Sequence, residues 1–146
     1  MRSNDLELVF PNLQNTPYEV TSPEDTRYNC IAWAAGNSQR SWWPAGAWGY
    51  YWPGDPDDDS LEGFIAVFRA AGYEVCQSRQ LEPGFEKVAI YANNDGVSHM
   101  ARQLQSGLWT SKCGDCEDII HSLEGLENSI YGSVIVMMKR PLGGSP

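Results

Sequence analysis

Apolar positions recur along the chain with two different periods. Leu61, Phe64, Ile65 and Phe68 fall at i, i+3, i+4 and i+7, the spacing of one helix face. Ser60 stands before this run as a capping residue, and Gly72 follows it as a stop. Tyr28–Ala35 is a second helical run, ended by Gly36 and Asn37 and preceded by Ser22-Pro23-Glu24-Asp25. That tetrapeptide has the form of a helix start: a capping serine, then proline, then acids in the first turn.

Beyond residue 72 the pattern changes to strands. Tyr73–Cys76 and Glu86–Tyr91 read as strands, the second followed by the turn residues Asn93-Asn94-Asp95-Gly96. Ser98–Leu104 and Leu108–Ser111 read as a hairpin around Gln105-Ser106-Gly107. Residues 116–124 read as a short helix, and Tyr131–Met138 as a buried central strand. Leu6–Phe10 reads as a short strand within an irregular, polar lead-in over 1–22, and 141–146 as a loose tail. The 146 residues make one domain over 1–146, long enough for a core of its own. Helices first and strands afterwards predict an α+β fold, with N-terminal helices packed on an antiparallel β-sheet.

Charge narrows the function classes. Ten basic against nineteen acidic residues give a net charge of −9. Such a balance disfavours nucleic acid and anionic membrane surfaces, which need a positive face. No apolar stretch is long enough to span a bilayer, and MRSNDLELVF lacks the basic-then-apolar form of a secretory leader. The expected compartment is the cytoplasm, where Cys30, Cys76, Cys113 and Cys116 would be thiols.

Cys30 and His99 are the residues with the clearest chemistry. A thiol becomes a useful nucleophile when an imidazolium lowers its pKa, and the same ring can then protonate the leaving group. The alternative for Cys30 is a small buried apolar residue, and for His99 a satisfied strand histidine. Cys113-Gly114-Asp115-Cys116 reads as a turn before redox or zinc, since four zinc ligands are not found at a known spacing. No metal and no cofactor is expected. The acidic run Asp55–Asp59 suits a helix start and solvent.

The segment Tyr28-Asn29-Cys30-Ile31-Ala32-Trp33-Ala34, the helix it opens and His99 at a strand start resemble the papain-like cysteine hydrolases. Among these the bacterial cell-wall endopeptidase branch is most similar in element order. Tyr-Asn-Cys-Ile-Ala-Trp-Ala and Leu-Glu-Pro-Gly-Phe-Glu-Lys-Val-Ala also resemble segments that recur in one bacterial family. The papain-like resemblance covers residues 25–112 and implies a papain-like fold. Cys30 would then be nucleophile and His99 base, with no cofactor. The third position falls on Leu108–Ser111, where Thr110 and Ser111 are polar but the usual Asn, Asp or Glu is absent; the role falls to Ser111 or, from the next segment, to Asp115, Glu117, Asp118 or His121. The usual oxyanion-hole glutamine is also missing, leaving the Asn29 amide or the Cys30 backbone N–H.

The tryptophan-rich stretch supplies candidate cleft walls in Trp42, Trp43, Trp48 and Trp52, with Trp33 nearby in the helix. Aromatics of this kind give large contact area at small entropic cost, although packing the loop onto the core is the competing role. Two functions follow. One is a thiol hydrolase of the peptidase, amidase or deamidase type, acting on a peptide or protein substrate. The other is a non-catalytic protein-binding module of the immunity or adaptor type, meeting a partner protein through residues 42–53.

Overall fold

The structure, a computed structural model, describes residues 4–22, 30–34, 52–54, 59–112 and 118–142. Seven strands form one sheet: β1 (Tyr18–Ser22), β2 (Glu74–Cys76), β3 (Phe85–Asn93), β4 (Gly96–Gln103), β5 (Trp109–Lys112), β6 (Asp118–His121) and β7 (Ser133–Pro141). They lie in the order β1-β6-β5-β4-β3-β7-β2, and every neighbouring pair is antiparallel. Among the described residues, three α-helices accompany them: α1 (Asn4–Val9), α2 (Cys30–Ala34) and α3 (Leu61–Ala70).

The expected α+β, papain-like arrangement of N-terminal helices on a sheet does not form. The sheet is the body of the domain, it takes a strand from the N-terminal region at one edge, and short helical pieces cap both of its faces. Among the described residues, α3 is the one helix that exceeds two turns. The lead-in is ordered rather than irregular. Leu6 and Phe10 are buried one turn apart while Leu8 lies open, so the apolar pair serves a helix and not a strand. Residues 118–121, expected to be helical, are β6, and a 3₁₀ turn follows at Leu123–Leu126. Pairing with both β1 and β5 overrides the helical spacing of Ile119, Ile120 and Leu123. β7 is second from an edge, not central.

Several local signals act as their chemistry dictates. The Ser60 hydroxyl accepts the Gly63 amide at 3.2 Å and caps α3. β3 and β4 join through Asn94-Asp95, with the Asp95 amide donating to Asn93 Oδ1 at 2.8 Å.

Side-chain alternation divides the sheet residues between two cores. Ala89, Tyr91, Ala101, Trp109 and Ile119 point to one face, against Leu6, Phe10, Leu13, Leu123 and Leu126. Val88, Ile90, Met100 and Met138 point to the other, against Ile31, Ala34, Phe64, Val67 and Phe68. Cover on both faces is why Val88-Ala89-Ile90-Tyr91 reads as an unbroken apolar run. Each large side chain buried this way contributes about 1.5–3 kcal/mol. Among the described residues, no helix is long and apolar enough to cross a membrane.

Candidate functional site

His99 sits opposite Tyr91 in the β3–β4 register, so both side chains share the face of Ala101 and Trp109. Its ring stacks flat on Tyr131, with centroids 4.0 Å apart and planes 5° from parallel, and meets Tyr91 edge-on at 5.3 Å. Ser111 of β5 reaches it: Oγ lies 2.9 Å from His99 Nε2. The same oxygen lies 2.6 Å from His121 Nε2 on β6, and His121 Nδ1 lies 2.6 Å from the Ser122 carbonyl. The three side chains are fully buried.

The proton positions follow from that chain of contacts. A carbonyl can only accept, so His121 carries its proton on Nδ1 and offers a bare Nε2. Ser111 donates to that nitrogen. Its oxygen then accepts from His99 Nε2–H, which leaves His99 Nδ1 as a buried lone pair without a donor. Burial holds both rings neutral. It pushes His99 well below the usual histidine value, with His121 nearby adding to the effect. Burial also lowers His121 to about 4, opposed by its bond to the Ser122 carbonyl.

Cys30 is elsewhere. It opens α2 and is buried with Ile31, Phe64, Val88, Ile90 and Met100, on the face opposite His99. The structure joins His99 to Ser111 and packs Cys30 with the apolar residues around Met100. The strand period explains this, since His99 and Met100 are adjacent and must point to opposite faces. α2 lies over the Met100 face of β4.

The remaining predicted residues divide into two groups. Trp52 packs on Phe64 with ring centroids 4.9 Å apart, so it anchors its segment to α3. Trp33 is the fourth residue of α2. Asn29, Trp42, Trp43, Trp48, the helix start at 23–25, most of the acidic run and Cys113–Cys116 lie outside the described residues. Among the described residues, no three His, Cys, Asp or Glu side chains converge to hold a metal ion.

His121, which the sequence offered only as a substitute for the third position, is the second imidazole on the Ser111 hydroxyl. Its signal is alternation: His121 and Ile119 lie two apart on one face of β6, in line with Trp109 and Ser111 across the ladder. Concave surface is also found away from the expected cleft. A cavity of about 370 Å³ opens between the Arg79–Leu81 segment, the turn joining β4 to β5, and Ser122–Glu124. An apolar pocket of about 220 Å³ lies beside α3, lined by Pro53, Phe68, Tyr73 and Arg140. There Arg140 lies over the Tyr73 ring, pairs with Glu86 and donates to the Ala71 carbonyl.

A family model for a domain of unknown function, DUF7689, matches residues 19–139. The chain belongs to the DUF7689 family. The match to DUF7689 begins inside β1 and ends inside β7, so it takes in at least part of all seven strands, the His99–Ser111–His121 chain and the cavity beside Arg79. No curated protein and no solved structure matches the chain.

Proposed function

We propose that this domain is a non-catalytic binding module. One observation carries the reading: Cys30 packs in the apolar cluster of Met100, while His99 lies opposite Tyr91 in the β3–β4 register and stacks on Tyr131, beside the other cluster. The Cys30 side chain packs among Ile31, Phe64 and Met100, and a thiol in apolar surroundings stays protonated. The His99–Ser111–His121 chain then ties β4, β5 and β6 together, a structural use of buried polar groups. With Trp52 committed to α3, the reading takes the cavity beside Arg79 as the binding seat, since concave sites with a few convergent polar groups hold ligands.

A thiol hydrolase is the second reading, and one observation favours it. His99 is held at Nε2 by Ser111 while Nδ1 is left without a partner, the polarity a general base needs. Alkylation separates the two. The native protein is treated with iodoacetamide at pH 6 and each cysteine is followed by mass spectrometry. The binding module predicts that Cys30 stays unmodified while half-buried Cys76 reacts slowly. Fast, selective loss of the Cys30 thiol overturns it in favour of the hydrolase.

A further inference from the structure

We infer that the surface formed by α1 and the turn at Ser129–Gly132 docks a basic amphipathic segment of a partner protein. This surface is separate from the cavity beside Arg79, and the inference stands whether or not the domain is catalytic.

The two most exposed large apolar side chains among the described residues are Leu8 at 77% and Ile130 at 58%. They belong to segments that touch. Ser129 Oγ donates to the Val9 carbonyl, and the Phe10 and Tyr131 rings lie 5.1 Å apart. Val9, itself 42% exposed, extends the apolar surface from Leu8 towards the turn. The core does not use these side chains. Leu6 and Phe10, one turn apart, form the buried side of α1, which leaves Leu8 facing away from the sheet. Ile130 occupies a tight turn, a place where chain reversal favours Gly, Asn, Asp, Ser or Pro.

Ile130 is also held in place. Within its turn the Gly132 amide donates to the Ser129 carbonyl at 3.0 Å, and the Asn128 amide to the Gly132 carbonyl at 2.8 Å. From the sheet, Asn93 Nδ2 donates to the Ile130 carbonyl at 2.8 Å and Ser98 Oγ to the Tyr131 carbonyl at 2.6 Å. A side chain presented by a fixed backbone leaves less freedom to be lost on binding. Exposed apolar groups with a polar rim mark interaction surfaces.

Charge selects the partner. Residues 4–22, 88–101 and 118–138, from which this surface is built, contain no Lys or Arg. Their carboxylates include Asp5, Glu7, Asp95, Glu124 and Glu127. Arg79 reaches in to pair Glu124 and Glu127, and the Tyr18 hydroxyl donates to Glu7. Asp5 and Asp95 form no salt bridge among the described residues. Asp5 lies one helical turn before Leu8 and Val9. Asp95 follows the Asn93 that holds the Ile130 carbonyl. A second copy of the chain would bring the same carboxylates and a net charge of −9, and anionic lipid or nucleic acid is repelled in the same way. Lys or Arg beside a row of apolar side chains meets both the apolar patch and its acidic rim, as in a basic amphipathic segment.

The test uses the full ¹⁵N-labelled chain at low salt and a synthetic amphipathic peptide of Leu and Lys. Saturable amide shifts are expected at Leu8, Val9, Ser129 and Ile130. Two further peptides, with every Lys changed to Glu or every Leu changed to Ser, are each expected to bind at least about tenfold more weakly. Leu8→Ser and Ile130→Ser, both at exposed positions, are expected to weaken the Leu–Lys peptide by about tenfold while the rest of the spectrum stays in place. The inference is overturned if the shifts lie elsewhere or are absent, or if either substitution leaves the affinity unchanged. It is also overturned if the Ser peptide binds as tightly, which would mean charge alone, or if raising the protein concentration without peptide moves the same signals, which would make a second copy the occupant.

Discussion

The Ser111 hydroxyl lies 2.6 Å from His121 Nε2, and the same oxygen takes the proton of His99 Nε2 at 2.9 Å. One hydroxyl thus satisfies two imidazoles on two different strands, with all three side chains fully buried. Removing it leaves both nitrogens buried and unpaired, each costing about 1–3 kcal/mol. Ser111→Ala is therefore expected to lower unfolding free energy by about 2–5 kcal/mol in urea titrations. A loss under about 1 kcal/mol would mean the chain of bonds is not formed.

The same network makes stability depend on pH in a defined window. Both rings are neutral when folded, and unfolding returns them to an ordinary value near 6.5. Below that pH the unfolded chain binds protons that the folded chain refuses, so stability present above about 6.5 is lost as pH falls towards about 4. The loss from His121 alone is of order 3 kcal/mol. Denaturant melts between pH 7 and pH 4.5 are expected to show this fall, and His121→Gln to flatten it. An unchanged midpoint over that range would contradict the assigned protonation.

A second acid-sensitive element operates lower on the pH scale. Glu82 accepts from Lys139 and pairs with the fully buried Lys87, and these two contacts hold its carboxyl down to about 2. Its contribution is present above the ordinary carboxylate value and is lost as pH falls through about 2. Glu82→Gln is expected to lower the neutral-pH midpoint and to remove the steepest part of the acid loss, read by the same melts.

Gly132 tests the backbone geometry. It has φ +76°, and a Cβ there would lie 2.0 Å from the Ala92 carbonyl oxygen. Both the left-handed conformation and the backbone clash penalise any side chain, so Gly132→Ala is expected to cost roughly 3 kcal/mol or more. Gly84 has φ +86° but open space around it, and Gly84→Ala is expected to cost only about 1 kcal/mol. Similar losses at the two sites in thermal melts would contradict the packing of the segment 128–133 on β3.

Signals that are local were legible in the chain. Ser60 and the four apolar positions after it specify α3, and Asn93 to Gly96 specify the β3–β4 turn. Residues whose state depends on distant partners were not. Leu6 and Phe10 suit a short strand as well as a helical turn until the sheet covers one side of them. Ile119 to Leu123 fit a helix until β1 and β5 claim them on both edges. The site divides in the same way. His99 and Ser111 meet because a tight hairpin sets their register. The face of the sheet that α2 covers is not encoded in α2, so the cluster that Cys30 joins could not be read from spacing.

The imidazole of His99 gives the most direct measurement. Nitrogen chemical shifts of the histidine rings at pH 7, in the native chain and in Cys30→Ala, report charge, tautomer and any coupling to the thiol. The account predicts a neutral His99 ring with its proton on Nε2, and no change in its signals when the sulfur is removed. A positively charged His99 that loses its proton in Cys30→Ala would reveal a thiolate–imidazolium pair and contradict the account.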